Sequence, residues 1–273
     1  MRKASPLVRK LAVILAVGTV SLYQVSSAQA ASPIQDVLNL IQKSNIPTKI
    51  QTIDKSIASN DISNAASQNN SQNKKTIPVK PTPQEIEEAA GFASQKTGVD
   101  KNFLMGELVV ETDLGQNVGA CTYKQVEDGA QQRYDEGLLN ASSWDTFLQR
   151  KNIIENLAGT LDYDPDDLPV SCNPPYAGTG GAMGIAQFMP DTWVSYENRV
   201  QAIVGHTPDP WNVTDGVVAL AVKLSDTPRV TQHNILAEED AAKYYLSGSI
   251  SPQYEWYANE VMYWSQNYNS LLT

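Results

Sequence analysis

The sequence has few positive charges, few histidines and few cysteines, and each shortage excludes a class of function. Its 273 residues contain 20 Lys and Arg against 30 Asp and Glu, a formal net charge of −10 at pH 7. Because affinity for nucleic acid depends on clustered cations, we expect no nucleic-acid partner. The two histidines, His206 and His233, do not have the spacing of metal ligands. We therefore expect neither a bound metal nor a cofactor.

Several common motifs are absent as well. There is no G-x-S-x-G of a serine nucleophile, and the glycines at 178–184 lack the lysine of a phosphate-binding loop and the dinucleotide fingerprint. The acidic run at 162–167 alternates like a calcium loop, but Asp167 and Asn173 stand where that loop requires glycine and glutamate. We interpret it as a solvated acidic turn. Strand-like alternation is almost absent, so a mainly α-helical domain is predicted.

The first thirty residues have the pattern of a cleaved secretory signal. Four cations precede an apolar run from Leu11 to Val25, and an A-x-A site follows at 28–30. An uncleaved anchor is the alternative, but the run is shorter than the roughly 20 residues of a membrane span. Cleavage would leave 16 Lys and Arg against 30 Asp and Glu, a net charge of −14. We expect a secreted or cell-envelope protein.

Export would place the two cysteines, Cys121 and Cys172, in an oxidising compartment, where a disulfide between them is the expected state. Such a bridge closes a loop of about 50 residues and stabilises the fold by roughly 4 kcal/mol if it acts through chain entropy. A free or catalytic thiol is the alternative. The interval between the cysteines is predicted to be a long, stapled insertion.

Two segments of different composition precede the predicted domain. Residues 31–58 carry Ile, Leu and Val at helical intervals and are predicted to form one or two short amphipathic helices. This leader either docks loosely on the domain or contacts a partner, for which an envelope protein is expected. Residues 59–76 are dominated by Asn, Ser, Gln and Ala, which cannot build a core. We interpret 31–80 as leader and flexible linker and 81–273 as a single domain.

Capping residues predict the helices of the domain, beginning with two at its start. A capping box at Thr82 and Glu85, with proline between them, and a stop at Gly98 predict a helix over 83–97. Asp100 caps a second helix that contains KNFLMGELVVE. The remaining predicted helices cover 144–158 after Ser143, 213–224 after Asn212, 237–246, and 252–268 after Ser251.

The second helix ends on a carboxylate that continues its apolar stripe. Each helical residue turns about 100°, so Leu104 and Glu111 point within roughly 20° of each other, with Leu108 beside them. A carboxylate that faces the core loses hydration, which raises its pKa toward the range of a general acid. Glu111 is therefore the candidate acid, although a frayed helix end in water gives the same pattern. Glu107, on the edge of this face, is a rival, and Asp113 is interpreted as a solvated side chain.

The glycine-rich stretch GTGGAMGIAQFMPDTW at 178–193 contains a single candidate side chain for chemistry, Gln187. Glycines permit tight turns and close approach of the backbone to a ligand. The Gln187 amide can donate and accept hydrogen bonds with an amide or hydroxyl of a substrate. A purely structural loop is the alternative. Aromatic residues concentrated in the second half of the chain suit sugars, although most of them are expected in the core.

Three blocks of sequence resemble the lytic murein transglycosylases, most closely the membrane-bound transglycosylase B type. They are VVETDLG at 109–115, GGAMGIAQFMPDTW at 180–193 and DPWNVTDGVVALAVKLSD at 209–226. The likeness extends in scattered blocks over residues 84–268. It implies a lysozyme-like catalytic domain, the fold shared with goose-type lysozymes, and peptidoglycan glycan strands as the partner that the protein binds.

The resemblance also implies roles for individual residues. By position, Glu111 corresponds to the family's single acid/base glutamate. Gln187 corresponds to the glutamine of its glycine loop, where Met183, Gly184 and Phe188 are the accompanying substrate-binding residues.

A late block, YYLSGS followed by YANEV, is similar to the family's tyrosine block and implies Tyr245 near the catalytic carboxyl, with Tyr244 as the alternative. Two departures stand out. Leu246 replaces the Asn that many relatives have after this tyrosine. The Asp-rich calcium loop of the transglycosylase B type is missing from 194–212, so no calcium is expected there.

The implied reaction is cleavage of the β-1,4 bond between N-acetylmuramic acid and N-acetylglucosamine, with formation of a 1,6-anhydro ring. Two other functions stay open at this point. One is a lysozyme-like hydrolase of the same bond, in which Asp113 or another acid places a water. The other is a non-catalytic peptidoglycan-binding component of the envelope.

Overall fold

The computed structural model describes residues 74–77, 80–175 and 178–272. The predicted signal at 1–30 and the predicted leader at 31–58 lie outside the described residues. Eight α-helices and one two-stranded sheet form the described part of the chain, so the prediction of a mainly helical domain is confirmed. None of the described helices is long and apolar enough to cross a membrane.

The helices are α1 (Pro83–Thr97), α2 (Lys101–Thr112), α3 (Tyr123–Asp135), α4 (Ala141–Leu161), α5 (Pro190–Val204), α6 (Val213–Leu224), α7 (Ile235–Ser247) and α8 (Glu255–Asn267). The strands are β1 (Cys121–Thr122) and β2 (Pro169–Val170), which pair antiparallel. Short 3₁₀ segments lie at Pro165–Asp167, Val230–Gln232, Pro252–Tyr254 and Tyr268–Leu271.

Capping residues explain most helix boundaries. α1 and α6 span the predicted residues. Thr82 accepts a hydrogen bond from the Glu85 amide and Asn212 accepts from two amides of the first turn, which fixes where these helices begin. α4 begins at Ala141 instead of 144, since Asn140, and not Ser143, caps it.

Four other stretches differ from the prediction. α7 is slightly longer than the predicted 237–246, and the predicted helix at 252–268 begins with a 3₁₀ turn. α3 and α5 are missing from the prediction. A capping box at Thr122 marks the first, and a proline at the first helical position marks the second.

α6 is the central helix of the domain. Every residue from Asp215 to Val222 is buried, and α1, α5 and α7 pack against this helix. A helix that is apolar on all sides belongs in the interior, and the composition of α6 fits that position. α2 also contacts α6 and packs on α8.

The predicted disulfide between Cys121 and Cys172 is present, with a Cα–Cα distance of 5.1 Å. It lies beside the β1–β2 pair, and α3 and α4 occupy the interval between the two cysteines. Tyr123 of α3 stacks on Phe147 of α4, both of them buried. The insertion thus contains a packed pair of helices, and the disulfide joins the residues at its beginning and end.

Residues 74–77, which the sequence analysis assigns to the linker, contact the domain. The Lys75 amide donates to the Asp162 carbonyl over 2.7 Å. The Lys75 ammonium donates to Asp209 Oδ2 over 2.9 Å. This part of the linker therefore lies against the turn that follows α4.

Candidate active site

α2 ends in a tight turn that fixes the position of Glu111. Asp113 closes the helix in the left-handed conformation, with φ 55°. The Thr112 hydroxyl lies 3.1 Å from the Ile185 carbonyl oxygen and accepts a hydrogen bond from the Gly115 amide. These contacts join the last turn of α2 to the glycine-rich stretch that the sequence analysis singled out.

α8 crosses α2 at Gly106. A Cβ atom at this position would lie 2.4 Å from the Val261 carbonyl oxygen, a distance that real Cβ atoms do not reach. Glycine is therefore the residue that lets the two helix backbones approach so closely. Because Tyr257 lies about one helical turn before Val261, the same crossing brings Tyr257 to the glutamates of α2.

The Tyr257 hydroxyl lies between Glu107 and Glu111. It is 2.7 Å from Glu107 Oε2 and also hydrogen-bonds Glu111 Oε1. The two glutamates are four residues apart and share one face of α2. Glu107 is 0% exposed, whereas Glu111 is partly exposed. Of the two candidate acids, Glu111 is thus the one that can reach a ligand.

Burial raises the pKa of both carboxyls. Lost hydration, reinforced by the charge of Glu111, raises the pKa of Glu107 to about 8. Lost hydration also raises the pKa of Glu111 to about 6, against the opposing effects of the Tyr257 hydrogen bond and the Lys223 charge. Burial raises the pKa of Tyr257 well above its usual value, so the phenol keeps its hydrogen at neutral pH. A carboxyl that titrates near neutrality suits acid/base chemistry.

Lys223 provides a positive charge that interacts with both glutamates. It follows the buried run of α6, its Nζ donates to the Tyr245 carbonyl over 3.1 Å, and it lies 3.9 Å from the centre of the Tyr245 ring. Burial lowers the pKa of Lys223, and the charges of Glu111 and Glu107 oppose that effect. One buried cation can balance one buried carboxylate, not two. We call Glu107, Glu111, Tyr257 and Lys223 the Glu111 cluster.

The glycine-rich stretch forms a tight turn against the segment that precedes α6. Gly184 has φ +61°, and a Cβ there would lie 1.8 Å from the Pro210 carbonyl oxygen. The Met183 amide donates to the Phe188 carbonyl over 2.9 Å, and the Phe188 amide donates back to Met183. No side chain fits at Gly184, so close backbone packing fixes the shape of the turn.

Gln187 lies at the end of this turn, with φ 50°. Its Nε2 donates to the Gly184 carbonyl over 2.8 Å and to the Val118 carbonyl over 3.2 Å. The two amide hydrogens are thus engaged within the protein. The side-chain oxygen has no hydrogen-bond donor among the described residues, so it is the group that Gln187 can offer to a ligand.

Three other residues that the sequence analysis assigns to substrate binding lie in the interior. Met183 and Phe188 are 1% and 2% exposed, and Gly184 is buried between them. Phe188 packs edge-on against Trp193 and Tyr245. In the structure these residues form the buried side of the turn. Their direct contact with substrate stays a prediction.

The tyrosine that contacts Glu111 is Tyr257. The Tyr245 hydroxyl donates to the Ala186 carbonyl in the glycine-rich turn, and Tyr244 is 45% exposed. The resemblance implies Tyr245 in this role, from a block that also contains Tyr257, in YANEV. Glycine at position 106 was the available signal, since it marks a close crossing of α2 by another helix.

A second group of acids is buried near the start of α6. Asp209 accepts hydrogen bonds from the Tyr163 hydroxyl over 2.6 Å and from Lys75. Asp215 accepts from the Asp209 amide over 2.9 Å and lies 3.0 Å from His206 Nε2. We call Asp209, Asp215, Tyr163, His206 and Lys75 the Asp209 cluster. Within the described residues, no three His, Cys, Asp or Glu side chains are arranged to hold a metal ion.

Comparison with known proteins finds structural relatives only. No protein-family profile and no curated protein matches the chain. The Escherichia coli lytic transglycosylase Slt35 in complex with bulgecin A is similar at 16% identity and a TM-score of 0.46, over 71% of this chain and 76% of that chain.

Two structures of the lytic transglycosylase SltB1 from Pseudomonas aeruginosa, one of them catenated, are also similar. The catenated form aligns at 19% identity and a TM-score of 0.36, over 71% of this chain and 59% of that chain. The other aligns at 20% identity and a TM-score of 0.40, over 72% of this chain and 62% of that chain. The chain is thus structurally similar to lytic transglycosylases at low sequence identity.

Proposed function

We propose that the protein is a peptidoglycan lytic transglycosylase in which Glu111 is the single acid/base. The observation that carries the proposal is the setting of the Glu111 carboxyl. It is partly exposed at a helix end, it is hydrogen-bonded to Tyr257, and burial raises its pKa to about 6. A group that titrates there can both give and take a proton near neutral pH.

Glu107 is poorly placed to be a second catalytic carboxylate. Two-carboxylate glycosidases place their acids on opposite sides of the scissile bond. Glu107 is fully buried and lies on the same helix face as Glu111, so it cannot act from the other side of a sugar. A site with one reachable carboxyl needs its other catalytic partner from the substrate, and the acetamido group of N-acetylmuramic acid is such a partner.

The proposed reaction uses one carboxyl twice, first as an acid and then as a base. Neutral Glu111 donates its proton to the glycosidic oxygen, the C1–O bond breaks, and the acetamido oxygen of the same sugar stabilises C1. The ionised Glu111 then removes the proton of the 6-hydroxyl, whose oxygen bonds to C1 and closes the 1,6-anhydro ring. Glu111 ends protonated, and no water is consumed.

Lys223 and Tyr257 support the ionised form between these two steps. The hydrogen bond from Tyr257 and the positive charge of Lys223 both lower the pKa of Glu111 relative to burial alone. An acid buried without such partners would hold its proton too tightly to release it to the leaving oxygen. The cluster thus keeps the pKa of Glu111 in a range where the carboxyl can both donate and accept a proton.

The proposed substrate lies outside the cytoplasm, so the proposal requires export by the predicted signal at 1–30. The sequence blocks at 109–115 and 180–193 support the proposal through their resemblance to the lytic murein transglycosylases. The predicted contact of the leader at 31–58 with an envelope protein remains a separate expectation.

The test is mass spectrometry of purified peptidoglycan digested with the protein. We expect 1,6-anhydro products, which are lighter by one water than products with reducing ends. Reducing ends alone would identify the hydrolase, in which Asp113 or another acid places a water. Binding to the wall without soluble products would identify a non-catalytic binding protein. Either result would refute the proposal.

A further inference from the structure

The Tyr257 hydroxyl has one hydrogen and two carboxyl neighbours. It can donate that hydrogen to Glu107 or to Glu111, but not to both. If both acids were ionised, one carboxylate oxygen would face the phenol oxygen at hydrogen-bond distance without a hydrogen between them. At least one glutamate must therefore be neutral and donate its own hydrogen to the phenol oxygen.

Burial decides which glutamate is the neutral one. Glu107 Oε1 is buried and has no hydrogen-bond partner among the described residues. An ionised carboxylate with an unsatisfied buried oxygen costs far more free energy than a neutral acid with an unsatisfied carbonyl. Glu111 is partly exposed, so its charge keeps more contact with solvent than a charge on Glu107 would, which is 0% exposed.

The charges around the pair lead to the same assignment. Lys223 of α6 acts on both glutamates, while Tyr257 of α8 and Tyr245 of α7 face them as uncharged phenols. A single cation leaves the cluster neutral only if one glutamate is protonated. The higher pKa of Glu107, about 8 against about 6 for Glu111, agrees with Glu107 as the protonated member.

We propose that Glu107 is a positioning residue that acts on Glu111 through Tyr257. The buried acid donates to the phenol oxygen, and Tyr257 in turn commits its only hydrogen to Glu111 Oε1. This fixes the rotation of the Glu111 carboxyl and leaves Oε2 for the ligand. The catalytic role of Glu107 rests on the proposed function. The protonation states of Glu107 and Glu111 do not depend on it.

The hydrogen bond from Glu107 to Tyr257 also strengthens the bond that Tyr257 donates to Glu111. A phenol that accepts a hydrogen bond from a neutral acid becomes a better donor, because chained hydrogen bonds polarise one another. Ionised Glu111 is then stabilised at the stage when it has lost its proton. Ionisation of Glu107 would draw the phenol hydrogen away from Glu111 and place two negative charges on one helix face.

The first test is a carbon-13 NMR titration of glutamate carboxyls in the full-length protein, with Glu107→Gln and Glu111→Gln used to assign the two signals. We expect Glu111 to titrate first and Glu107 to titrate at higher pH. Titration of Glu107 before Glu111 would overturn the proposal. This measurement requires no enzymatic activity, so it stands apart from the proposed function.

The second test compares two substitutions of Glu107. Gln can still donate to the Tyr257 oxygen, whereas Met of similar size cannot. We expect the Glu111 midpoint to rise by roughly half a pH unit in Glu107→Met, since the phenol loses its donor, and to stay near the wild-type value in Glu107→Gln. Tyr268→Phe is the matched control, because its hydroxyl binds Asn102 and neither glutamate. Equal midpoints in the Gln and Met variants would refute a positioning role.

The third test uses wall cleavage. The kcat of Glu107→Met should fall by roughly ten- to a hundredfold, with KM little changed, as expected for a misplaced catalytic group. Glu107→Gln should recover part of the loss. A kcat in the Met variant equal to that of the wild type would overturn the positioning role. Absence of cleavage by the wild type would instead defeat the proposed function and leave the titration result valid.

Discussion

The Asp209 cluster and the Glu111 cluster both bury acids around a tyrosine, but the first provides each acid with several donors. Asp215, which is 0% exposed, accepts from the Asp209 amide and faces His206. In the Glu111 cluster, two glutamates lie against one phenol hydroxyl that has a single hydrogen, and one oxygen of Glu107 has no partner among the described residues.

This difference distinguishes an acid group that supports the fold from one suited to chemistry. A network whose polar atoms are all satisfied is rigid and resists a change of protonation. A buried group that lacks a partner is an exception in native proteins and requires an explanation, for which a catalytic role is one candidate. Substitutions in the Glu111 cluster should therefore affect activity, and substitutions in the Asp209 cluster should affect stability.

The largest effect is expected for Glu111→Gln. The variant keeps the size of the side chain and loses the exchangeable proton, so wall cleavage should fall by roughly 10²–10⁴-fold while the melting temperature changes little. Turbidity of a peptidoglycan suspension measures the rate. Glu88→Gln, at an exposed glutamate of α1, is the control and should behave as wild type. Full activity of Glu111→Gln would contradict the assignment of the acid.

The opposite result is expected for Asp215→Ala in the Asp209 cluster. Removal of this carboxylate leaves the buried Asp209 amide without an acceptor, so the free energy of unfolding should fall by roughly 3 kcal/mol. Activity per folded molecule should be retained. Urea denaturation measures the loss, with Asp128→Ala, at an exposed acid of α3, as the control. A stable but inactive Asp215→Ala would remove the distinction between the clusters.

The third prediction concerns pH. Glu107 has a pKa of about 8 in the folded protein against a reference value of 4.5, so the folded state holds a proton that the unfolded state has lost in this window. The free energy of unfolding should therefore decrease as pH rises from about 4.5 to 8, by roughly 5 kcal/mol, and level off above. Glu107→Gln should flatten this slope in denaturant titrations. An unchanged slope would show that other groups cause it.

The smallest effect is expected for Lys75→Met. The Lys75 side chain is 48% exposed, and its ion pair with Asp209 is therefore largely screened by solvent. Because Tyr163 still donates to Asp209, stability should fall by about 1 kcal/mol or less. A thermal melt in low and high salt measures the difference. A loss of several kcal/mol would instead assign the described part of the linker a major share of the stability of the fold.

The sequence predicts those parts of the fold that depend on local chemistry. Thr82 and Asn212 cap α1 and α6 as expected, because a cap is a contact between residues two or three apart. Asn140 and Ser143 both resemble caps, and only packing decides that Asn140 is used. The disulfide is predictable because the chain contains only two cysteines.

The candidate site was predicted less completely, because its contacts join distant parts of the chain. The helical period places Glu107 and Glu111 on one face of α2, which is a local property. Tyr257 lies 146 residues from Glu111 and 150 from Glu107 in sequence, and no periodicity encodes that crossing. Likewise, the apolar stripe cannot tell that Glu107 is closed off while Glu111 is reachable, since this depends on α8.

The missing side chain at Gly106 makes the proposed chemistry sensitive to a position that holds no functional group. An alanine there would act as a wedge against the backbone of α8. Tyr257 would then move away with its helix and leave every acid in the molecule unaltered. A survey of inactivating substitutions that looked only for altered acids would therefore overlook a methyl group that separates the two glutamates from the Tyr257 hydroxyl.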